Sequence, residues 1–254
     1  MAELFSDAVA RPEGEFLIAC AVSRFLGGGD GPEQLFADTI SPWLENPADD
    51  GEALLNWFAQ AKFRGPDELV TLAHSDLNFV LEYRQGIPIT VGILLLETAR
   101  RSGLEAFGIN FPGHFLISIS GQIIDPLALN ILSSEYLASL SDGDSRKVDA
   151  LLQPATVQMV ALRMLNNVKA QHIQSHNFAS ALEVIDLQLA CCGSEPELLS
   201  SFHFERGEYW QQIGGMQAAR EAYQSCAQIC PYPQLAAKAQ ELADSLLGNP
   251  DTLH

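Results

Sequence analysis

The sequence predicts an α+β protein that is mainly helical. Three observations carry that expectation. Apolar residues recur at spacings of three and four over most of the chain, the period of a helix with one buried face. Between Ala106 and Ile124 the pattern changes to short extended runs divided by Pro112-Gly113 and Gly121, the texture of an antiparallel meander. One apolar helical stretch, residues 88–102, precedes that meander, and a helix followed by turn-linked strands outlines an α+β core.

Taken in order, residues 1–72 form an N-terminal helical region with helical patterns at 15–26, 33–44 and 52–62. Gly27-Gly28-Gly29 breaks the first from the second. Residues 73–140 form the core: a short helix over 76–83, the buried helix over 88–102, and strands over 106–111, 115–120 and 122–124. Pro88 suits the first turn of its helix, where a missing N–H has no partner to lose. Residues 141–154 read as a polar connection, and a helical domain fills 155–247, interrupted at 192–196, 214–215 and 230–233.

Inside that last domain a weak repeat is visible. Phe178, Ala181 and Ile185 recur 38 residues later as Met216, Ala219 and Tyr223. Gly207, Trp210, Gly214, Ala219, Tyr223, Cys226 and Pro231 follow the spacing of a tetratricopeptide repeat, in which small residues let two helices approach closely. The first copy, residues 165–196, is degenerate, and an unrelated helical hairpin bundle fits the same pattern. On either reading an exposed helical face is a docking surface for a protein partner rather than a catalytic one.

Composition narrows the function classes. The chain carries 32 acidic residues against 14 Lys and Arg, a formal charge of −18. The excess is spread evenly, so it reads as solubility rather than an acidic tail. No basic patch is available to displace counterions, which argues against nucleic acid and anionic membrane surfaces as partners. Five cysteines without a CxxC pair do not resemble a disulfide framework, and the apolar stretch 16–22 is short and preceded by Glu13 and Glu15. The longest apolar run, 86–96, is too short to cross a bilayer. A cytoplasmic, untargeted protein is the expectation.

The stretch with chemical potential runs Leu77-Asn78 through Arg84-Gln85-Gly86-Ile87-Pro88-Ile89-Thr90, then Phe111-Pro112-Gly113-His114-Phe115 and Ile124-Asp125-Pro126. His114 and Asp125, 11 residues apart, head one strand and end the next, where they can lie side by side. A carboxylate beside an imidazole fixes its tautomer and favours its charged form, the arrangement thiol and serine enzymes use.

Here the chain resembles a known family. A Gly-Ile-x opening, a helix ending in Arg101-Ser102-Gly103-Leu104-Glu105-Ala106, a strand, His114 and Asp125-Pro126 look like the transglutaminase-like, papain-type fold with its Cys–His–Asp triad. Asn78, Arg84-Gln85-Gly86-Ile87-Pro88-Ile89, Pro112-Gly113-His114 and Asp125-Pro126 are similar to the bacterial SirB-one family, transglutaminase-like proteins with a C-terminal tetratricopeptide domain. The resemblance implies that His114 and Asp125 hold the triad histidine and aspartate positions. The nucleophile does not carry over: its place is Pro88, and no Cys lies between 21 and 190. Unless Cys20 folds across, thiol catalysis is absent.

Several readings therefore stand side by side. Thr90 or Ser118 could supply a hydroxyl nucleophile, or His114 and Asp125 could act as general acid and base without a covalent step. Alternatively the pair is a hydrogen-bonded structural remnant, or part of an old cleft that holds a small-molecule ligand. The expectation is a non-catalytic adaptor or regulatory scaffold, a pseudoenzyme, with a hydrolase or acyl transferase as the alternative. No cofactor or metal is expected. His172 and His176 have the spacing of two metal ligands but no third group, and Cys226 occupies a small packing position more than a thiolate site. Gly27-Gly28-Gly29-Asp30-Gly31 lacks the Lys-Ser or Lys-Thr of a phosphate loop. Arg100-Arg101 complement a helix dipole, and Trp57-Phe58 with Phe63-Arg64-Gly65 are expected to close over the cleft.

Overall fold

The computed structural model describes residues 1–28, 31–139 and 145–248. Its contacts divide the chain into two compact units, Asp7–Met164 and a second made of Met1–Ser6 with the chain from Leu165 onward.

After α1 (Ala2–Val9), the larger unit is built from α2 (Glu15–Phe25), α3 (Pro32–Leu44), α4 (Gly51–Gln60), α5 (Leu77–Tyr83) and the central α6 (Pro88–Arg101). Each boundary has a local cause. Asp50 and Asp76 accept hydrogen bonds from the backbone N–H of Glu52 and Asn78 at 3.0 and 2.9 Å, capping α4 and α5. Arg84 ends α5 in the left-handed conformation, φ 62°. Helix α6 is buried nearly all round, as its unbroken apolar sequence requires.

A four-stranded antiparallel meander follows: β1 (Ala106–Ile109), β2 (Leu116–Ile119), β3 (Gln122–Asp125) and β4 (Asn130–Ile131). The strands are shorter than the sequence pattern suggests, because Phe111, Pro112, Gly113 and His114 form the turn between β1 and β2. His114 N–H donates to Phe111 C=O at 3.0 Å, and Gly113 has φ 74°, the pattern of a type II turn. Strand β4, only two residues, carries no periodicity and escapes sequence reading.

Register assigns each face of the sheet. Ile117 and Phe115 turn toward α6: a Cβ at Gly92 would lie 2.8 Å from the Phe115 ring and 3.4 Å from Ile117. On the other side Phe115 sits against Gly108 of β1. Two glycines thus make the slot for one aromatic ring. Leu116, Ile109, Phe111 and Ile123 face the opposite way, into a second core with Leu137 of α7 (Ser134–Ser139) and Val148 of α8 (Ser145–Leu151). Helix α8 occupies part of the stretch expected to be a polar connection, whose residues 141–144 lie outside the described ones. Its Val148 is buried, so the polar composition hides a half-apolar helix.

A buried ion pair ties α2 to α6. Arg100 grips Glu15 through two hydrogen bonds of 2.8 and 3.1 Å and donates to the Ala106 carbonyl at 3.0 Å; their side chains are 12% and 4% exposed. Arg100 is therefore a structural clamp, not merely a helix-dipole complement.

The smaller unit contains the greater part of α9 (Val157–Gln174), then α10 (Phe178–Cys191), α11 (Pro196–Gln212), α12 (Met216–Ile229) and α13 (Pro233–Ser245). Helices α11 and α12 meet where Gly207 faces Tyr223: a Cβ at Gly207 would stand 2.5 Å from the ring. The Tyr223 hydroxyl donates to Gln211 at 2.6 Å. A buried polar network crosses the unit: Lys169 donates to Gln188 at 2.9 Å and to the Glu205 carboxylate, and Gln188 donates to Asn166 at 2.7 Å. One interruption is absent from the sequence reading. Asn177 accepts from Ser180 N–H at 3.2 Å to start α10, and His176 has φ 55°. His176 thus lies beyond the end of α9 and does not share a helix face with His172.

Candidate functional site

The sequence-marked residues gather around the first turn of α6. Gly86 is required there, since a Cβ would lie 2.7 Å from Thr90 Oγ1 and 3.0 Å from both Val80 and Val91. Pro88 occupies the first helical turn. Thr90 is fully buried; its Oγ1 accepts from Ile87 N–H at 3.0 Å and lies 3.0 and 2.9 Å from the carbonyls of His74 and Ile87. It caps the helix and holds the 72–75 turn, an engaged hydroxyl rather than a free nucleophile.

Arg84 and its neighbours close one side. Arg64 N–H donates to Arg84 C=O at 2.9 Å and Gly86 N–H to Arg64 C=O at 3.1 Å, so the 63–65 segment runs beside the α5–α6 turn as a parallel bridge. The Arg84 guanidinium stacks 4.9 Å over Phe63, and desolvation lowers its pKa. Asp67 accepts from Arg64 and from Gln85 at 2.7 Å each, and its hydrogen bond to Arg64 holds the carboxyl below its ordinary range. A Cβ at Gly65 would touch Leu127 at 3.5 Å, which brings this segment next to the turn after Asp125. Trp57 packs edge-on against Phe58, and Phe58 against Phe63, at 5.4 and 4.8 Å. Asn78 is structural: its amide donates to the Gly28 carbonyl and anchors α5 to the end of α2.

His114 and Asp125 are near in register but not joined. The pairing Ile117 with Ile124, continued one step, sets Leu116 opposite Asp125, leaving His114 diagonal to it. No hydrogen bond or ion pair links the two side chains among the described residues. Asp125 Oδ1 instead accepts from Leu127 and Ala128 N–H at 2.8 and 3.0 Å, capping the turn into β4. Alternation groups Asp125 with Ile123 on the face turned to Leu137 and Val148, away from α6. His114 is exposed in the turn, its ring 6.5 Å from Phe111. The expected side-by-side pair therefore becomes a turn cap and a surface imidazole. The cause is the register of β2 on β3, which sets Leu116 opposite Asp125 and leaves His114 two residues beyond that position.

Cys20 does not fold across. It is fully buried in α2, and desolvation, reinforced by Glu33, pushes its thiol far above the ordinary range. Glu97, near the far end of α6 from Pro88, also acts on it. Ser118 is buried in β2. Among the described residues no three His, Cys, Asp or Glu side chains could together hold a metal ion. None of the helices described is long and apolar enough to cross a membrane.

Two residues that sequence reasoning passed over complete the site. His74 is buried beneath it, its Nδ1 accepting from Thr71 N–H at 3.0 Å and its ring edge-on to Phe79 at 5.4 Å. Arg163 of α9 donates to Asn110 and, at 3.2 Å, to the Phe111 carbonyl, with its guanidinium 5.9 Å over Phe115. The apolar neighbours of His74 hint at a buried position; nothing local signals that Arg163 reaches the β1–β2 turn.

A helix laid against an antiparallel sheet, with a histidine in the β1–β2 turn and an aspartate ending β3, fits a transglutaminase-like protein. Residues 34–166 match the family described as the transglutaminase-like superfamily, more than half of the chain, and the chain belongs to that family. It is also similar to the UPF0162 protein of Xylella fastidiosa (strain 9a5c), 28% identical over 178 residues, 65% of this chain and 62% of the relative. The UPF0162 protein of Vibrio cholerae is 30% identical over 162 residues, 60% of this chain and 58% of the relative. That of Pseudomonas aeruginosa is 29% identical over 113 residues, 42% of each. The matched stretch thus spans less than two thirds of these relatives' length. No solved structure matches the chain.

Proposed function

We propose that this chain is a non-catalytic member of the SirB-one branch, a cytoplasmic adaptor or regulatory scaffold that binds a protein partner through its C-terminal helices. The observation that carries this reading is the split of the triad positions. Proline stands where the thiol belongs, and the aspartate is turned to the face of the sheet away from α6. Acyl transfer needs nucleophile, base and orienting carboxylate within hydrogen-bond reach of one another. The hydroxyls nearest in sequence are spent on capping or buried in a strand. The packing of α11 against α12, with the small-residue contact of Gly207 with Tyr223, supports a tetratricopeptide-like arrangement of the docking helices.

The test sets wild type beside His114→Ala. Neither is expected to turn over glutamine, ester or peptide substrates. Both are expected to retain the same partner from native lysate, which is lost when residues 155–247 are removed. Turnover abolished by His114→Ala would overturn the reading in favour of a hydrolase or acyl transferase. Retention of the partner without 155–247 would move docking to the 73–140 region.

A further inference from the structure

We propose that the outer edge of β1 is a docking groove for an extended basic peptide, which hydrogen-bonds to the Ala106 N–H and lays a lysine or arginine against Glu13 and Glu105. The sheet order is the starting point. Strand β1 is an outer strand, paired with β2 alone, and an outer strand turns half of its N–H and C=O groups away from the sheet. Ser120 N–H donates to the Glu105 carbonyl at 2.8 Å, so Glu105 faces β2 and its neighbour Ala106 faces outward, as does Gly108. The chain covers this edge incompletely. Ala155 N–H donates to the Gly108 carbonyl at 2.8 Å, and Arg100 Nε donates to the Ala106 carbonyl at 3.0 Å. The Ala106 N–H, in a residue only 8% exposed, has no partner among the described residues. Backbone donors this deep are nearly always paired, and an open donor on a strand edge is a template for another strand.

The cavity beside Ala106 selects what that strand carries. It encloses about 790 Å³, is open to solvent, and lies wholly within the Asp7–Met164 unit. Leu104, Phe107, Ala155 and Val157 give it apolar walls. Its charges are the carboxylates of Glu13, Glu15 and Glu105 and the single guanidinium of Arg100, an excess of negative charge. Glu15 already satisfies Arg100 with two hydrogen bonds, of 2.8 and 3.1 Å. Glu13 meets that paired guanidinium only at 3.7 Å, with its side chain 67% exposed. Glu105, also exposed, has no ion pair among the described residues. A lysine or arginine in an extended peptide complements all three features. Its carbonyl accepts from the Ala106 N–H, its methylene stem covers the apolar wall, and its charge faces the two exposed glutamates. Residues 155–157 close the Gly108 end, so the peptide pairs at Ala106 and leaves past Leu104. This groove goes beyond docking through the C-terminal helices, because none of its residues belongs to the smaller unit.

The test titrates the full, nitrogen-15-labelled chain with a short peptide of alternating valine and lysine, blocked at both ends, and with its valine–glutamate counterpart. The lysine peptide is expected to shift the Ala106 amide resonance; at about ten times its Kd it should slow exchange of that amide about tenfold, since about one chain in eleven then remains free. The glutamate peptide should do neither. Glu13→Gln combined with Glu105→Gln should weaken binding of the lysine peptide about fivefold, and raising salt to about 0.5 M should weaken the wild type comparably. Should the double variant fail to fold, Glu105→Gln alone and the salt series give the same reading. The proposal is overturned if about 1 mM lysine peptide leaves the Ala106 amide unmoved, or if both peptides bind alike. It is equally overturned if n-butylamine moves that amide as strongly, which would make the cavity an amine pocket. An Ala106 shift that grows with protein concentration alone would assign the edge to a second copy of the chain and overturn it as well.

Discussion

Replacing Gly92 by Ala puts the architecture that carries β2 to a quantitative test. In an isolated helix the change would stabilise by about 1 kcal/mol. Here the new methyl would meet the Phe115 ring at 2.8 and 3.0 Å, against an ordinary carbon contact of about 3.5–4.0 Å. The ring cannot simply retreat, because its far edge already rests against Gly108. Overpacking of this kind costs about 1–3 kcal/mol, so after the helix-propensity gain the net expectation is a loss of up to about 2 kcal/mol. Urea denaturation reads the effect through Trp43 and Trp57, both in the Asp7–Met164 unit, in a Trp210→Phe background that silences the other unit. Adding Phe115→Leu should recover part of the loss, with a coupling above about 0.5 kcal/mol. A Gly92→Ala protein more stable than its parent, or strict additivity with Phe115→Leu, would refute the slot.

Three further outcomes follow from other contacts. Arg100→Met leaves Glu15 buried without its partner and should cost about 3–5 kcal/mol, measured by the same denaturation; Glu15→Gln with Arg100→Met together should be milder than Arg100→Met alone. Thr90→Val should lose about 1–2 kcal/mol by freeing the Ile87 N–H, while Thr90→Ser stays near wild type; an unchanged midpoint for Thr90→Val would remove the capping role. Burial lowers the pKa of His172 and of His203, the latter helped by Arg206. Below pH 6.5 the unfolded chain therefore binds more protons than the folded one, and stability is lost as pH falls, by up to about 1.4 kcal/mol per pH unit for each histidine. Melting followed through Trp210 between pH 7 and 5 should show that slope, and His172→Leu should flatten it.

Much of this fold was legible because helix period and turn chemistry are local. Gly27, Asp76, Pro88, Pro112-Gly113 and Gly121 mark boundaries that recur in the structure within a residue or two. What escaped was set by tertiary contact. Strand β4 exists through pairing with β3 alone, α8 through a single buried valine in a polar stretch, and the break at His176 through a left-handed residue with no glycine to signal it. The same split runs through the site. Sequence located His114, Asp125 and the proline at position 88, all written in contiguous motifs. It could not tell how the aspartate would meet the histidine, because the β2–β3 register, which places Leu116 opposite Asp125, is set by pairing across the turn and not by either motif. Nor could it find Arg163, whose partners lie more than 50 residues away.

The hydrogen bond from the Ser6 hydroxyl to the Ala190 carbonyl, 3.2 Å long within the smaller unit, spans 184 positions of the chain. On the ribosome, at about 5–20 residues per second, the segment carrying Ser6 emerges roughly 10–40 s before its acceptor exists. During that interval residues 1–6 have nothing of their own unit to pack on, while the Asp7–Met164 unit can be completed first. The smaller unit is then the last to close, and the arrival of α10 is the event that gives Ser6 its partner.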